Sequence, residues 1–234
     1  MQRTGILLVN LGTPDSAEVA DVKKYLKQFL LDERVIDIPA FNRNLLVRGI
    51  IVPFRSPKTS ALYKKIWRED GSPLLYYSLL QQQMLQEKLG DTYHVELAMR
   101  YQNPSIQAGL ASLRDKLVKE IIVIPLFPQY ASASTGSVMQ LVMELVSKWA
   151  TIPPIRMVNS FHDNPLMIAA FAENARIHGP ENYDHVLFSF HGLPERQLLK
   201  CDHTGTYCLK SDDCCETLND VNKFCYSAQG HDTA

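Results

Sequence analysis

Short apolar runs alternate with amphipathic segments along most of the chain, and this alternation limits the folds open to it. The clearest run, Ile121 to Phe127, is nearly all Ile, Val and Leu, as expected of a parallel strand covered on both faces. Gly5 to Asn10 is a second apolar run, and the residues after it recur at helical spacing: Val19, Val22, Leu26, Phe29 and Leu30. Repeated strand–helix–strand units predict parallel sheets flanked by helices.

The same alternation resumes after a break at Pro153-Pro154. The pattern beyond it predicts three elements: a strand over Ile155 to Ser160, a helix over Pro165 to Ile177 and a strand over Val186 to Phe190. We therefore predict an α/β fold of two domains, each a parallel sheet flanked by helices, at residues 1–150 and 151–234. The second domain is expected to be incomplete, because only two strands can be recognised in it.

A mixed segment, Phe41 to Lys65, interrupts the first predicted domain. It combines six cationic residues with many apolar ones, a composition often found in a lid or binding lip. The cations could pair with carboxylates of a ligand. A solvated helix face is the alternative interpretation, and an apolar and basic surface also suits peripheral contact with a membrane.

Composition excludes several functional classes. The net charge of -1 and the pI of about 6.6 lack the basic footprint of a nucleic-acid-binding protein. The longest apolar run is too short to cross a bilayer, and Met1 to Thr4 leads directly into a strand without a signal sequence. We therefore expect a cytoplasmic protein. Dinucleotide-binding, Walker A and nucleophile-elbow motifs are all missing.

The histidine at position 191 is the strongest candidate for chemistry. It follows the apolar run that ends at Phe190, and Gly192 and Pro194 then prevent the strand from continuing. Ligands of open α/β sheets bind just beyond the carboxyl ends of the strands. An imidazole placed there can take up a proton or hold a metal near neutral pH. The alternative is a core histidine that is satisfied by a backbone carbonyl.

Five cysteines occur between Cys201 and Cys225, and the first 200 residues contain none. In a reducing compartment such a group indicates metal binding more often than disulfides. Six residues separate the first cysteine from the second, and five separate the second from the third. Nine residues separate Cys215 from Cys225. These separations match neither zinc ribbons nor the common ferredoxin patterns.

Six short motifs occur in one order, each at a predicted strand end or loop: Val9-Asn10-Leu11-Gly12-Thr13-Pro14-Asp15, Ser56-Pro57-Lys58 with Tyr63, Gly71-Ser72-Pro73-Leu74, Met99-Arg100-Tyr101, Pro128-Gln129-Tyr130 with Ser134-Thr135-Gly136, and Ser189-Phe190-His191-Gly192-Leu193-Pro194. Together they resemble the ferrochelatase family over essentially the whole chain. The resemblance implies two Rossmann-like domains that enclose a porphyrin. It also implies a lyase of haem biosynthesis that inserts its substrate Fe²⁺ into protoporphyrin IX or coproporphyrin III.

The resemblance assigns roles to individual residues. His191 matches the histidine of the family, which accepts a pyrrole proton or handles the metal. The implied substrate-binding residues surround the macrocycle, with Leu11 on its face, Arg55, Tyr63 and Ser72 near its edge and propionates, and Arg100 and Tyr130 on the metal side.

The chain departs from the family pattern in two respects. Nothing matches the glutamate that faces the histidine across the porphyrin, so we expect a C-terminally truncated ferrochelatase with impaired activity. Some bacterial members carry a [2Fe–2S] cluster on comparable cysteines. The candidate ligands here are Cys201, Cys208, Cys214, Cys215 and Cys225, and reduced structural or surface thiols are the alternative.

Two other functions remain open at this stage. A porphyrin- or haem-binding protein without catalysis is favoured by the missing glutamate. A cobalt or nickel tetrapyrrole chelatase would share the fold, but its family uses pairs of histidines around the metal. The arginine and tyrosine pattern of this chain favours iron.

Overall fold

The computed structural model describes residues 3–234, so Met1 and Gln2, which enter the signal-sequence prediction, lie outside the described residues. Contacts divide the chain into two compact units. The first contains the chain up to Leu126 together with Ser132–Asn159, and the second contains Phe127–Ala131 together with Ser160–Ala234. The assignment of domains to 1–150, with a binding lip, and to 151–234, with a Cys-rich insertion, stays a prediction.

A four-stranded parallel sheet forms the centre of the first unit. Its strands are β1 (Thr4–Gly12), β2 (Tyr93–Tyr101), β3 (Glu120–Pro125) and β4 (Ile155–Met157), and their order in the sheet is β2-β1-β3-β4. β1 pairs with β2 from Thr4 opposite Tyr93 to Gly12 opposite Tyr101. The predicted α/β class, with a parallel sheet flanked by helices, is confirmed.

Helices cover both faces of this sheet. They are α1 (Val19–Leu31), α2 (Ala40–Leu45), α3 (Val52–Ile66), α4 (Pro73–Leu89), α5 (Ile106–Asp115) and α6 (Ser137–Val146). Ile6 and Leu8 of β1 face a cluster that includes Leu85 of α4. Leu7 points the other way and lies close to Gly109 of α5. This alternation is the period-two pattern of a strand whose two faces are both buried.

The strand over Ile155 to Met157 belongs to the first unit. Ile121 of β3 lies opposite Ile155 of β4. The prediction that a strand from Ile155 to Ser160 opens a second sheet is therefore wrong, because its backbone groups are paired with β3.

The prediction of a strand over Val186 to Phe190 is also wrong. Within residues 160–234 the structure describes no strand, and Val186, Leu187 and Phe188 are exposed. An apolar run becomes a strand only where another strand satisfies its backbone hydrogen bonds, and no described segment of the second unit forms a strand that pairs with this one.

The segment Phe41 to Lys65 is helical rather than an irregular lip. α2 leads through a π-helical stretch, Leu46–Ile51, into α3. Its buried residues recur every four or five positions: Arg43, Val47, Val52, Ser56 and Ser60. This spacing gives the segment one buried face, while most of its cations stay exposed. The segment is therefore a helical surface, and its role as a binding lip stays a prediction.

The second unit consists of short helices and loops. Its helices are α7 (Pro165–Arg176), α8 (Glu195–Leu199) and α9 (Tyr226–Thr233). α7 confirms the predicted helix, and Asn164 caps it by accepting hydrogen bonds from the backbone N–H groups of Leu166 and Met167. Among residues 3–234, no helix combines the length and the apolar character that a bilayer crossing requires.

Candidate functional site

A network of polar side chains lies at the carboxyl end of β2. Arg100 donates from Nη2 to Asp32 Oδ2 and from Nε to Ser137 Oγ, each over 2.6 Å. The hydroxyl groups of Tyr101 and Ser137 donate to the same Asp32 oxygen, over 2.8 and 2.5 Å. Asp32 follows α1 and Ser137 begins α6. The network therefore joins two helices to the sheet beside Arg100.

Asp32 is held in its charged form. Burial acts to raise the pKa of its carboxyl group, but the hydrogen bonds from Ser137 and from the Arg34 backbone, together with the charge of Arg100, outweigh burial and lower this pKa. Burial, followed by the charge of Asp32, raises the pKa of the Tyr101 hydroxyl, so Tyr101 remains a donor. The charge of Arg100 is therefore compensated within the protein.

Leu11 and Tyr63 lie on one apolar cluster. Its buried members are Val22, Tyr25, Leu26, Leu30, Val47, Val52 and Tyr101. Tyr63 meets Tyr25 edge-on, with ring centroids 6.4 Å apart, and burial raises the pKa of the Tyr63 hydroxyl. The guanidinium of Arg100 lies 4.7 Å from the centroid of the Tyr101 ring. The structure therefore brings Leu11, Tyr63 and Arg100 into one neighbourhood around Tyr101.

Gly12 fixes the end of β1 against β2. Its φ is +113°, and a Cβ atom at this position would lie 2.0 Å from the carbonyl oxygen of Tyr101. Only glycine tolerates both the backbone conformation and this close approach. The absence of a side chain at Gly12 therefore allows the end of β1, with Leu11, to lie close to the end of β2.

Ser72 and Arg55 differ sharply in their surroundings. Ser72 is 5% exposed, and its hydroxyl oxygen accepts a hydrogen bond from Thr13 Oγ1 over 2.8 Å. This bond attaches the loop after β1 to the start of α4. Arg55 lies exposed on α3 and has no hydrogen bond or ion pair with any of residues 3–234. Its guanidinium is therefore available to an anionic ligand.

His191 lies in an exposed loop of the second unit, not at the end of a buried strand. Its backbone N–H donates to the hydroxyl oxygen of Tyr226 over 3.1 Å. The residue lines a mostly apolar cavity of about 370 Å³, together with Phe188, Phe190, Gly192, Leu193, Leu198, Tyr226, Ser227, Gly230, His231 and Ala234. The alternative of a core histidine is wrong, because the side chain is exposed.

Tyr130 is half-buried in the second unit. Its backbone N–H donates to Gln229 Oε1 over 2.6 Å, and its ring lies 5.9 Å from the ring of Phe224. Tyr130 and His191 therefore both contact residues of, or next to, α9.

The cysteines gather in a small core of the second unit. Cys208, Cys225 and Ala228 are buried there, and Cys214 and Cys215 have Sγ atoms 3.3 Å apart. Burial raises the pKa of the Cys201 thiol to about 11 and that of Cys208 to about 12, which favours thiols over the thiolates that bind metal. Sulfur donors suit an iron–sulfur cluster. Within residues 3–234, however, no three Cys, His, Asp or Glu side chains are arranged to hold a metal. A [2Fe–2S] cluster on these cysteines would therefore require their side chains to rearrange.

The sequence interpretation missed Asp32, Ser137 and Gln229. Asp32 had a signal, since it is a carboxylate that directly follows the apolar face of α1. Ser137 and Gln229 had none, because their hydrogen-bond partners are distant in sequence.

The parallel α/β fold, with side chains gathered at its carboxyl edge, agrees with a Rossmann-like domain of the chelatase type. The family model for ferrochelatase matches residues 3–234. Ferrochelatase from Legionella pneumophila (strain Paris) is 44% identical over 234 residues, which cover 99% of this chain and 68% of the relative. The enzyme from Bdellovibrio bacteriovorus is 40% identical over 100% of this chain and 69% of the relative. The chain belongs to the ferrochelatase family, the lyases that insert Fe²⁺ into porphyrin in haem biosynthesis.

Proposed function

We propose that this chain inserts Fe²⁺ into a porphyrin and that His191 handles the leaving proton or the incoming metal. The observation that carries this proposal is the exposed imidazole beside a cavity of about 370 Å³ with a mostly apolar lining. An apolar wall with few polar groups is typical of sites for flat organic ligands.

The reaction requires an acceptor for protons. A free-base porphyrin carries two pyrrole N–H protons, and both leave as Fe²⁺ forms bonds to the four ring nitrogens, so the products are the iron porphyrin and two protons. No electron is transferred. A neutral imidazole nitrogen has a lone pair that can accept one of these protons or can hold Fe²⁺ before insertion. His191 offers this lone pair at the surface of its loop.

The residues of the first unit are assigned to porphyrin binding. Leu11 and Tyr63 present apolar surface for a macrocycle face. Arg55 has an uncompensated charge suited to a propionate. Ser72 holds the loop that follows β1, the strand of Leu11, and Arg100 is a donor held in place by Asp32. In the second unit, Tyr130 is assigned to the metal side.

The test is anaerobic incubation of the chain with Fe²⁺ and protoporphyrin or coproporphyrin. We expect metal-dependent loss of free-porphyrin fluorescence, and we expect His191→Ala to reduce its rate at least about 100-fold. His178→Ala, a change of an exposed histidine elsewhere in the second unit, serves as the control. A shifted Soret band without metal-dependent loss of fluorescence would identify a porphyrin-binding protein instead and overturn the proposal.

A [2Fe–2S] centre on the cysteines is a separate prediction and has no part in the proposed reaction. Its support is the gathering of the thiols in one core. Protein purified without oxygen should then absorb between the near-ultraviolet and the visible. A spectrum without such bands would contradict it.

Peripheral membrane contact is supported by the surface of α2 and α3. Phe41, Leu45, Phe54 and Leu62 are strongly exposed there, beside the exposed cation Arg48. Apolar and basic side chains together favour the surface of an anionic bilayer. Sedimentation with anionic vesicles, compared with neutral vesicles, tests this proposal. A cytoplasmic location stays a prediction.

A further inference from the structure

The last helix of the described chain, α9, contacts the loop that carries His191 and the loop that carries Tyr130. We propose that Tyr226 and Gln229 of α9 are positioning residues for iron insertion, which hold His191 and Tyr130 respectively. This inference rests on the proposed function. It adds two residues that act through hydrogen bonds to the backbone of these loops.

One face of α9 holds the His191 loop. The hydroxyl oxygen of Tyr226 accepts the hydrogen bond from the His191 backbone N–H, over 3.1 Å. One turn later, a Cβ atom on Gly230 would lie 3.5 Å from the ring of Phe190. Residues four apart share a helix face. Tyr226 and Gly230 therefore contact two adjacent residues of one loop.

A second face of α9 holds the Tyr130 loop. Gln229 is 1% exposed, and its Oε1 accepts the hydrogen bond from the Tyr130 backbone N–H while its Nε2 donates to the Lys223 carbonyl over 2.5 Å. One turn later, Thr233 Oγ1 accepts from Gln129 Nε2 over 2.9 Å. Both polar groups of the buried amide are therefore satisfied, and each fixes a backbone position.

The helix itself is attached to the core of the unit. Ala228 lies on a third side of the helix, away from both of these faces, and is buried against Cys208 and Cys225. A helix attached on a third side sets the spacing of the two loops that it contacts. Because misplacement of a reacting group by about 1 Å can slow a reaction about 100-fold, this spacing bears directly on insertion.

Two conservative variants test the proposal. Tyr226→Phe removes only the hydroxyl acceptor, and Gln229→Met removes the amide while nearly keeping its volume. We expect each to raise the KM for Fe²⁺ about five- to tenfold, as expected from loss of one hydrogen bond, with the KM for porphyrin within about twofold of the unmodified chain.

Two controls separate positioning from general destabilisation. Tyr183→Phe makes the same change at a tyrosine that is 64% exposed, and its KM values should be unaltered. Leu218→Ala removes packing from the cysteine core and should lower the melting temperature without changing the KM for Fe²⁺. A KM for Fe²⁺ that follows melting temperature across all four variants would overturn the positioning role.

The His191→Ala variant distinguishes failure of this inference from failure of the proposed function. If the unmodified chain does not insert iron, the proposed function is wrong. If His191→Ala inserts iron normally, only the role proposed for His191 is wrong. If His191→Ala is inactive but Tyr226→Phe and Gln229→Met have normal KM values, only the positioning role is wrong. A second readout does not depend on turnover. The imidazole NMR signals of His191 should shift in Tyr226→Phe and should not shift in Tyr183→Phe. Unchanged signals in Tyr226→Phe would contradict the inference for Tyr226.

Discussion

Asp32 Oδ2 lies 2.6 Å from Arg100 Nη2, and only 6% of the Asp32 side chain is exposed. This oxygen also accepts hydrogen bonds from Tyr101 and Ser137. Removing its charge would leave Arg100 without a counterion at a position where water is largely excluded.

Asp32→Asn should therefore lower the free energy of unfolding by about 3 kcal/mol, because an uncompensated, largely buried charge is costly. Urea denaturation measures this loss. Asp70→Asn is the matched control, since Asp70 pairs with Arg68 in solvent and should change stability by less than about 1 kcal/mol. Equal losses in the two variants would contradict the importance of the buried pair.

Acid should destabilise the chain partly through Asp32. Its pKa is lowered in the folded chain, so as the pH falls the unfolded chain takes up this proton first, near the ordinary value of about 3.9. The contribution of Asp32 is thus present above that pH and disappears as the pH falls through the folded pKa. Urea midpoints between pH 6 and pH 3 should fall less steeply in Asp32→Asn than in the unmodified chain. Parallel curves would show that Asp32 is not responsible.

Gly12→Ala should be strongly destabilising, by more than about 3 kcal/mol, because the new Cβ would overlap the Tyr101 carbonyl and the backbone has a positive φ. The matched control is Gly49→Ala, where nothing lies within 4 Å of an added Cβ and where alanine favours a helix by up to about 1 kcal/mol. Thermal unfolding should therefore show shifts of opposite sign. A mild effect at Gly12 would mean that β1 can move away from β2 at little cost.

Ser72→Ala should cost about 1 to 3 kcal/mol, because Thr13 Oγ1 would lose its acceptor in a buried position. Adding Thr13→Val should recover part of this loss, since both polar groups are then absent. A double-mutant cycle by urea denaturation measures the coupling energy. Additive losses would show that the bond contributes nothing to stability.

Arg55→Gln should weaken porphyrin binding about tenfold without altering stability, because Arg55 is exposed and has no partner within residues 3–234. The effect should vanish with a porphyrin dimethyl ester, which lacks the free carboxylates. Soret-band titration gives both affinities, and Arg156→Gln, at another exposed arginine, is the control. Equal weakening for the acid and the ester would exclude a charge interaction.

Sequence periodicity predicted the first unit well. The run from Gly5 to Asn10 became β1, and the residues at helical spacing after it became α1. These signals are local, because burial on a strand or on one helix face leaves a repeat in the sequence. The strand prediction over Val186 to Phe190 failed because this signal is only local. Hydrophobic content does not reveal whether another strand is available to pair with the run.

The candidate site was predicted only in part. The motifs identified Arg100 and His191, but the bond between Asp32 and Arg100 spans 68 positions. The bond between Tyr130 and Gln229 spans 99. A single sequence carries no record of such long-range pairs.

The cysteine core has a consequence for chemical durability. Peroxides and alkylating agents attack the ionised form of sulfur, and burial raises the pKa values of Cys201, Cys208 and Cys214. At neutral pH these three side chains should therefore be slow to oxidise. A protein that works with ferrous iron would then carry most of its thiols in an unreactive state.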